Sequence, residues 1–159
     1  MRNSDLSLLL RAFLKTYPWR RIDPVPSAKL RKPLAKSRVA LVTTAGLVPP
    51  GDAPFDSTVR GGDTSFRVIN RDTAVHSLTE HHRSDSFDHA GILADANIAF
   101  PLDRLLELAG LGELAEVAPR HLSFMGSITA PGRLTKETAP AAAALLVEDQ
   151  VDVALLVPV

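Results

Sequence analysis

The sequence predicts an α/β fold: an open, mainly parallel sheet with helices on both faces, in a Rossmann-like three-layer arrangement. Two apolar, β-branched runs carry this prediction, residues 38–43 and 151–157, because strands buried on both faces of a parallel sheet are continuously apolar. Segments of helical character lie between them, and such alternation is typical of right-handed crossovers. Only Pro158 and Val159 follow the last run, so we expect the sheet to be incomplete at its C-terminal side.

Two N-terminal segments precede the sheet. A helix is predicted over residues 4–16, where leucine and phenylalanine recur with a 3.6-residue period after a capping Asn3 or Ser4. Residues 17–33 contain four prolines, which restrict their own backbone and extend the residue before them, so this segment is predicted to be an ordered arm. We therefore divide the chain into a basic, proline-rich helix and arm, residues 1–36, and an α/β domain, residues 37–159.

The elements between the two apolar strands follow from periodicity and from turn residues. Residues 47–63 are rich in Pro, Gly and Asp and are predicted to form a long loop before a short strand at 65–69. The later elements alternate in type. They are a helix over 101–108 that ends at Gly110 and Gly112, a strand over 121–128, a helix over 131–148 kinked near Pro140, and the final, buried strand over 151–157.

Composition and charge exclude several classes of site and partner. The 159 residues contain no cysteine, which excludes a disulfide framework, a thiolate metal site and a cysteine nucleophile within them. Residues 1–38 hold ten Lys or Arg and two Asp, a net charge of +8, so the remaining 121 residues sum to −8. No aromatic residues interleave a basic stripe, so no nucleic-acid partner is predicted. We expect the arm to lie on its own acidic body or on an acidic partner.

The sequence predicts neither a secretory signal nor a membrane-spanning segment. Arg11 interrupts the N-terminal leucine run, and Glu148, Asp149 and Asp152 interrupt the apolar C-terminal segment. We therefore expect a soluble, cytoplasmic protein without a membrane partner.

Candidate substrate-binding residues follow two of the predicted strands. Ligands of open parallel sheets bind beyond the carboxyl ends of the strands, where hydroxyl and N–H groups could hold a carboxylate. The alternative is that these residues form turns and caps without a ligand. The candidates are Thr43, Thr44 and Gly46 after the first strand, and Gly126, Ser127 and Thr129 after the strand before the last.

A polar cluster at residues 72–99 contains the candidate acid–base groups. Asp88 and His89 are adjacent, and His89 is a candidate general acid or a group that orients a substrate carboxylate. A purely structural His–Asp pair is the alternative. The histidines at 76, 81 and 82 show no regular ligand spacing, so no metal is predicted.

Several segments resemble the selenoprotein B subunit of glycine, sarcosine and betaine reductases, with the D-proline reductase selenoprotein as a more distant relative. Order and spacing agree from about residue 85 to the end, and the proline-rich arm is similar to that of short, stand-alone members. The segments are Asp88–Gly91, Ala94–Asn97 followed by Phe100–Leu105, Leu111–Glu113, Met125–Ser127 and Val151–Leu156.

The resemblance implies that the strand at 151–157 leads directly into a redox site containing selenocysteine, or cysteine in some members. We hypothesise that the chain stops before an in-frame UGA, that the nucleophile immediately follows Val159, and that the 159-residue chain lacks reductase activity. A selenol is ionised at neutral pH and would attack the α-carbon of glycine, betaine, sarcosine or a related amine, releasing the amine.

The resemblance also implies partners. These are a second reductase subunit or another copy of the chain, together with a thiol system that restores the selenolate. No cofactor is expected apart from the selenocysteine itself. The alternative function is a non-catalytic α/β module whose open final strand is completed by a partner chain.

Overall fold

The computed structural model describes residues 8–17, 21–84 and 88–159. The strands are β1 (Arg38–Thr43), β2 (Leu47–Val48), β3 (Phe66–Asn70), β4 (Thr79–Glu80), β5 (Glu116–Val117), β6 (Arg120–Phe124) and β7 (Val153–Val157). The α-helices are α1 (Leu8–Thr16), α2 (His89–Ala94), α3 (Leu102–Gly110) and α4 (Ala139–Glu148). Within these described ranges, no helix is both long and apolar enough to span a membrane.

Strand β1 lies at the centre of the main sheet. β7 pairs with it in parallel along one edge, from Val39 opposite Val153 to Thr43 opposite Val157. β5 and then β6 pair in parallel with the other edge of β1. β3 lies outside β6 and is antiparallel to it, whereas β2 and β4 form a separate antiparallel pair. The predicted, mainly parallel sheet is therefore confirmed.

Helices cover both faces of this sheet, as the three-layer prediction requires. Leu41 of β1 packs in one core with Phe100 and with Leu102 of α3. On the opposite face, Leu122 of β6 packs with Ala142 of α4. Each fully buried leucine of this kind contributes about 1.5–3 kcal/mol relative to an exposed one.

Ion pairs hold together the amino ends of the parallel strands. Arg38 donates to Glu116 through Nε and a terminal nitrogen, at 2.9 and 2.7 Å, and its backbone N–H donates to Asp152 at 2.8 Å. Arg120 contacts both carboxylate oxygens of Asp149, at 2.8 and 2.7 Å. This guanidinium holds the pKa of Asp149 below its ordinary value. The charged network thus lies at the end of the sheet opposite the carboxyl ends of the strands.

The predicted helix over residues 4–16 is present as α1 from Leu8 onward, and its residues 4–7 lie outside the described residues. Leu8 and Phe13 of α1 are largely exposed. The predicted loop at 47–63 begins with β2, which pairs with β4. Two-residue strands carry no periodicity that a sequence could reveal.

Two elements of the C-terminal half also differ in detail. β6 ends at Phe124 and not at residue 128, because Gly126 has a φ of 69°, which is incompatible with a strand. The predicted kink near Pro140 corresponds to a π-helical turn at Leu134–Thr138, directly before α4. Proline has no N–H to donate to the preceding turn, so the irregularity falls where regular hydrogen bonding fails.

The prediction that the final strand is buried is wrong. β7 pairs with β1 along its full length, yet Ala154, Leu155 and Leu156 are exposed, Leu156 by 67%. In the described part of the chain, no strand pairs with the outer edge of β7. A continuous apolar run indicates a strand that can be covered on both faces, but coverage depends on neighbours that the run itself does not encode.

His121 closes a gap in the hydrogen-bond ladder between β1 and β6. Pro119 lies between β5 and β6, and the Nδ1 atom of His121 accepts the Leu41 N–H at 2.9 Å. The side chain is fully buried and meets Phe100 edge to face, with ring centroids 5.8 Å apart. Burial, together with the charge of Arg71, lowers the pKa of His121 to about 4, so the imidazole is neutral at pH 7.

Acidification from pH 6.5 to pH 4 is expected to lower the free energy of unfolding by about 3 kcal/mol through His121. In this window the unfolded chain binds a proton at His121 and the folded chain does not, so stability falls as the pH falls. Urea denaturation at a series of pH values measures the loss. His121→Gln, whose amide oxygen can still accept the Leu41 N–H, is expected to remove this contribution. His76→Gln, at an exposed site, serves as the control. An unchanged pH dependence in His121→Gln would contradict the assignment.

Candidate functional site

The carboxyl ends of β1, β6 and β7 meet at a crevice, and backbone hydrogen bonds join the segments that leave them. The Thr44 N–H donates to the Val157 carbonyl at 3.2 Å, and the Gly46 N–H donates to the Phe124 carbonyl at 2.8 Å. The turn after β1 is thereby fixed between the ends of its two neighbours. This is the position at which open parallel sheets bind ligands.

Gly126 allows three of these segments to approach one another. Its φ is +69°, and a Cβ atom placed there would lie 2.5 Å from the Thr44 carbonyl oxygen and 2.8 Å from Nε2 of His82. Gly46 has the same role on the other side of His82, because its Cβ would lie 2.8 Å from the His82 backbone nitrogen. The His81 N–H also donates to the Gly46 carbonyl, at 2.9 Å. Two glycines therefore hold the His81–His82 segment against the crevice.

His82 is an imidazole at the floor of this crevice. It is buried, and its Nδ1 accepts the Ser84 N–H at 3.2 Å, which places the proton of the neutral ring on Nε2, the atom beside Gly126. Burial lowers the pKa of His82 and the charge of Glu80 opposes this shift. The ring is consequently neutral at pH 7, and its Nε2 is buried against Gly126.

A second imidazole, that of His89, is linked to His82 through Glu80. One carboxylate oxygen of Glu80 accepts the backbone N–H of His82, and the other lies 2.6 Å from Nδ1 of His89. The Nε2 atom of His89 lies 3.1 Å from the Ser84 carbonyl oxygen. The Glu80 side chain is only 10% exposed, so a nearly buried carboxylate orients both histidine-bearing segments. Each ring nitrogen of His89 faces an acceptor, and a doubly protonated ring would satisfy both.

The neighbouring Asp88 does not take part in this link, because its carboxylate has a different hydrogen-bond partner. Asp88 is the N-cap of α2, and its Oδ1 accepts the Gly91 N–H at 3.0 Å. A Cβ at Gly91 would lie 2.6 Å from the other oxygen of the same carboxylate. The geometry therefore gives Asp88 a capping role, and the carboxylate that accompanies His89 is that of Glu80.

The remaining predicted site residues occupy different positions around the crevice. Thr43 is buried, and its hydroxyl accepts the Ala45 N–H at 3.1 Å, which is a turn contact. The Thr44 hydroxyl accepts the Val159 N–H at 3.0 Å, so it holds the end of β7. Ser127 and Thr129 are exposed on the loop after β6.

The Ser127–Thr129 loop packs against the loop that contains Gly61 and Gly62. The Thr129 N–H donates to the Gly61 carbonyl at 2.9 Å. A Cβ at Gly62 would lie 2.9 Å from the Ile128 Cα, so the two loops are in direct contact. The structure thus brings Thr44, Gly46 and Gly126 together at the crevice and places Ser127 and Thr129 on its outer wall.

Sequence reasoning missed Glu80 and His82 as members of the crevice. The polar run from Glu80 to Arg83 was the available signal, but adjacent histidines suggest metal before they suggest a hydrogen-bonded link. Among the residues that the structure describes, no three His, Asp or Glu side chains are grouped to hold a metal ion. The link depends on backbone pairing between β2 and β4, which the sequence pattern does not reveal.

Comparisons with known proteins point to one consistent family. A family model described as glycine/sarcosine/betaine reductase selenoprotein B matches residues 7–158. D-proline reductase subunit gamma of Acetoanaerobium sticklandii is 36% identical over 136 residues, which cover 85% of this chain and 54% of that protein. Sarcosine reductase complex component B subunit beta of Peptoclostridium acidaminophilum is 29% identical over 148 residues, which cover 91% of this chain and 33% of that protein. The chain thus spans about half and about a third of these two relatives. No solved structure matches it.

Gly126→Ala is expected to lower the free energy of unfolding by about 2 kcal/mol or more, because the new methyl group meets the Thr44 carbonyl and His82 at a backbone angle that disfavours alanine. Gly132→Ala is the matched control, since its Cβ would enter open space at an ordinary φ. We expect that control to change stability by less than about 1 kcal/mol. Urea denaturation compares the two variants, and equal stabilities would show that the crevice is not packed around Gly126.

Proposed function

We propose that this chain, which belongs to the glycine/sarcosine/betaine reductase selenoprotein B family, acts as a subunit of a multi-subunit reductase. The family match over residues 7–158 carries this proposal. The names of both relatives describe subunits of reductases, one acting on D-proline and one on sarcosine. Because the chain spans only part of their length, the activity that we propose is that of the whole protein and its complex.

The proposed reaction is the reductive cleavage of a C–N bond in glycine, betaine, sarcosine or a related amine. A selenolate or thiolate forms a bond to the α-carbon while the C–N bond breaks, and the amine departs with a proton. Two electrons from a dithiol then release the reduced carbon product and regenerate the nucleophile. The 159 residues contain no cysteine, so we propose that a selenocysteine or cysteine directly follows Val159.

The geometry of the crevice supports this position for the nucleophile. Val159 is held beside Thr44 by hydrogen bonds to the threonine hydroxyl, so the next residue would emerge at the carboxyl ends of β1 and β7. His82 lies against Gly126 in the same crevice. In this proposal a neutral His82 packs the crevice beside Gly126, and His89, held by Glu80, is the candidate proton donor to the departing amine.

The exposed surface of β7 favours a second function, that of a non-catalytic module completed by a partner chain. Leu155 and Leu156 are exposed by 41% and 67%, although both belong to a strand of apolar residues. In this alternative, the partner covers the strand and the chain contributes no chemistry of its own.

The coding sequence after the Val159 codon tests the proposed position of the nucleophile. We expect the codon after that of Val159 to be UGA, and cells grown with selenite to contain a longer, selenium-bearing product that intact-mass measurement detects. Growth without selenium is the control and is expected to yield only the 159-residue chain. A cysteine codon at this position would identify the nucleophile as cysteine, whereas a UAA or UAG would sink the proposed nucleophile and favour the non-catalytic module.

Isolation of the chain together with its partners tests whether it is a reductase subunit. The tagged chain, isolated anaerobically from its own organism, is expected to co-elute with a second reductase subunit in a fraction that oxidises a dithiol when an amine substrate is added. Leu156→Asp is expected to weaken co-elution because it charges the exposed face of β7, whereas Leu111→Asp, at an equally exposed leucine after α3, is the control. A wild-type chain that elutes alone, without amine-dependent dithiol oxidation, would contradict the proposal.

A further inference from the structure

A cavity lies between the loop that contains Gly62 and the segment after β6 that contains Ala130. Its volume is about 240 Å³, the space of about eight water molecules at roughly 30 Å³ each, which suits a small organic or inorganic ion. Arg60, from the loop before β3, and Arg133, from the segment before α4, both line it. Thr64 and Thr138 also belong to the lining. We call it the Arg60–Arg133 cavity.

The two guanidinium groups retain donors that the fold does not use. Arg60 makes no hydrogen bond or ion pair with any residue that the structure describes. Arg133 donates through Nε to Glu137 at 2.9 Å, and both side chains of that pair are exposed. An exposed pair of this kind is only weakly stabilising, and the two terminal nitrogens of Arg133 stay available.

The one carboxylate in the lining is already committed to its own loop. Asp63 accepts the Asp56 N–H at 2.9 Å with one oxygen and the Ser65 N–H at 2.8 Å with the other. These hydrogen bonds and the charge of Arg67 hold the pKa of Asp63 below its ordinary value, although partial burial opposes them. Asp63 therefore stabilises the loop backbone, and the two arginines leave the lining with a net positive charge.

Thr64 adds a hydroxyl donor to the lining of the cavity. An oxyanion accepts hydrogen bonds from hydroxyl and guanidinium donors alike, and planar guanidinium groups match carboxylate and phosphate oxygens in geometry.

We propose that the Arg60–Arg133 cavity binds a small oxyanion, a carboxylate or a phosphate, through the two guanidinium groups. The site is independent of the proposed reductase role, because none of these residues belongs to the crevice around His82. It adjoins that crevice, however, because Gly61 accepts the N–H groups of Thr129 and Ala130. Occupancy of the cavity would therefore fix the loop that forms the outer wall of the crevice.

Titration of the purified chain with inorganic phosphate and with acetate tests the proposal, using amide NMR shifts at constant ionic strength and sodium chloride as the reference salt. Saturable shifts at Thr64 and Thr138 are expected with at least one of the two anions. Saturation by phosphate alone would identify a phosphate site, and saturation by acetate alone a carboxylate site. No saturable shift with either anion would overturn the proposal.

Variants show whether the binding occurs in this cavity. Arg60→Gln combined with Arg133→Gln is expected to weaken anion binding at least tenfold. Arg104→Gln removes one exposed, ion-paired arginine from α3 and is expected to leave binding unchanged. Circular dichroism confirms that each variant is folded before titration. Wild-type affinity in the folded double variant would place the anion elsewhere and refute the site.

Discussion

Strand β1 is hydrogen-bonded along both edges, and this double pairing positions everything at the crevice. The register sets Thr43 opposite Ser123 on one side and opposite Val157 on the other. The turns that follow these strands therefore emerge together and cannot move independently. The arginine–carboxylate pairs lie at the amino ends of the strands. The carboxyl ends carry backbone groups, hydroxyls and imidazoles instead. The fold thus separates the charges that hold the sheet from the groups available for binding.

Much of the architecture follows from the sequence alone. Apolar runs revealed β1 and β7, and helical periodicity revealed α3, because each signal extends over at least one full turn or several strand residues. The short β2–β4 pair and the six-residue α2 fall below that length. For α2, the only local signal was a cap, Asp88, whose carboxylate accepts the Gly91 N–H. The apolar run of β7 could not show that its faces are exposed, because burial depends on what packs against a strand.

The crevice was predictable in place and only partly in composition. Parallel-sheet geometry predicts that the Thr44–Gly46 turn lies near Gly126, since both follow strands that share one direction. The same logic could not find Glu80 or His82, which reach the crevice from a separate antiparallel pair. The same logic could not predict that the adjacent residues Asp88 and His89 have different hydrogen-bond partners. One caps a helix and the other meets Glu80, because successive residues at a helix start point in different directions.

The pairing of β1 with β7 has a consequence for synthesis on the ribosome. Asp152, which contacts the start of β1, lies 114 residues after Arg38. At about 5–20 residues per second, translation supplies this segment roughly 6 to 23 s after β1 has been made. During that interval one edge of an apolar strand has no partner, and such edges promote aggregation. The edge of β1 that β7 covers in the folded protein therefore stays unpaired until β7 has been made.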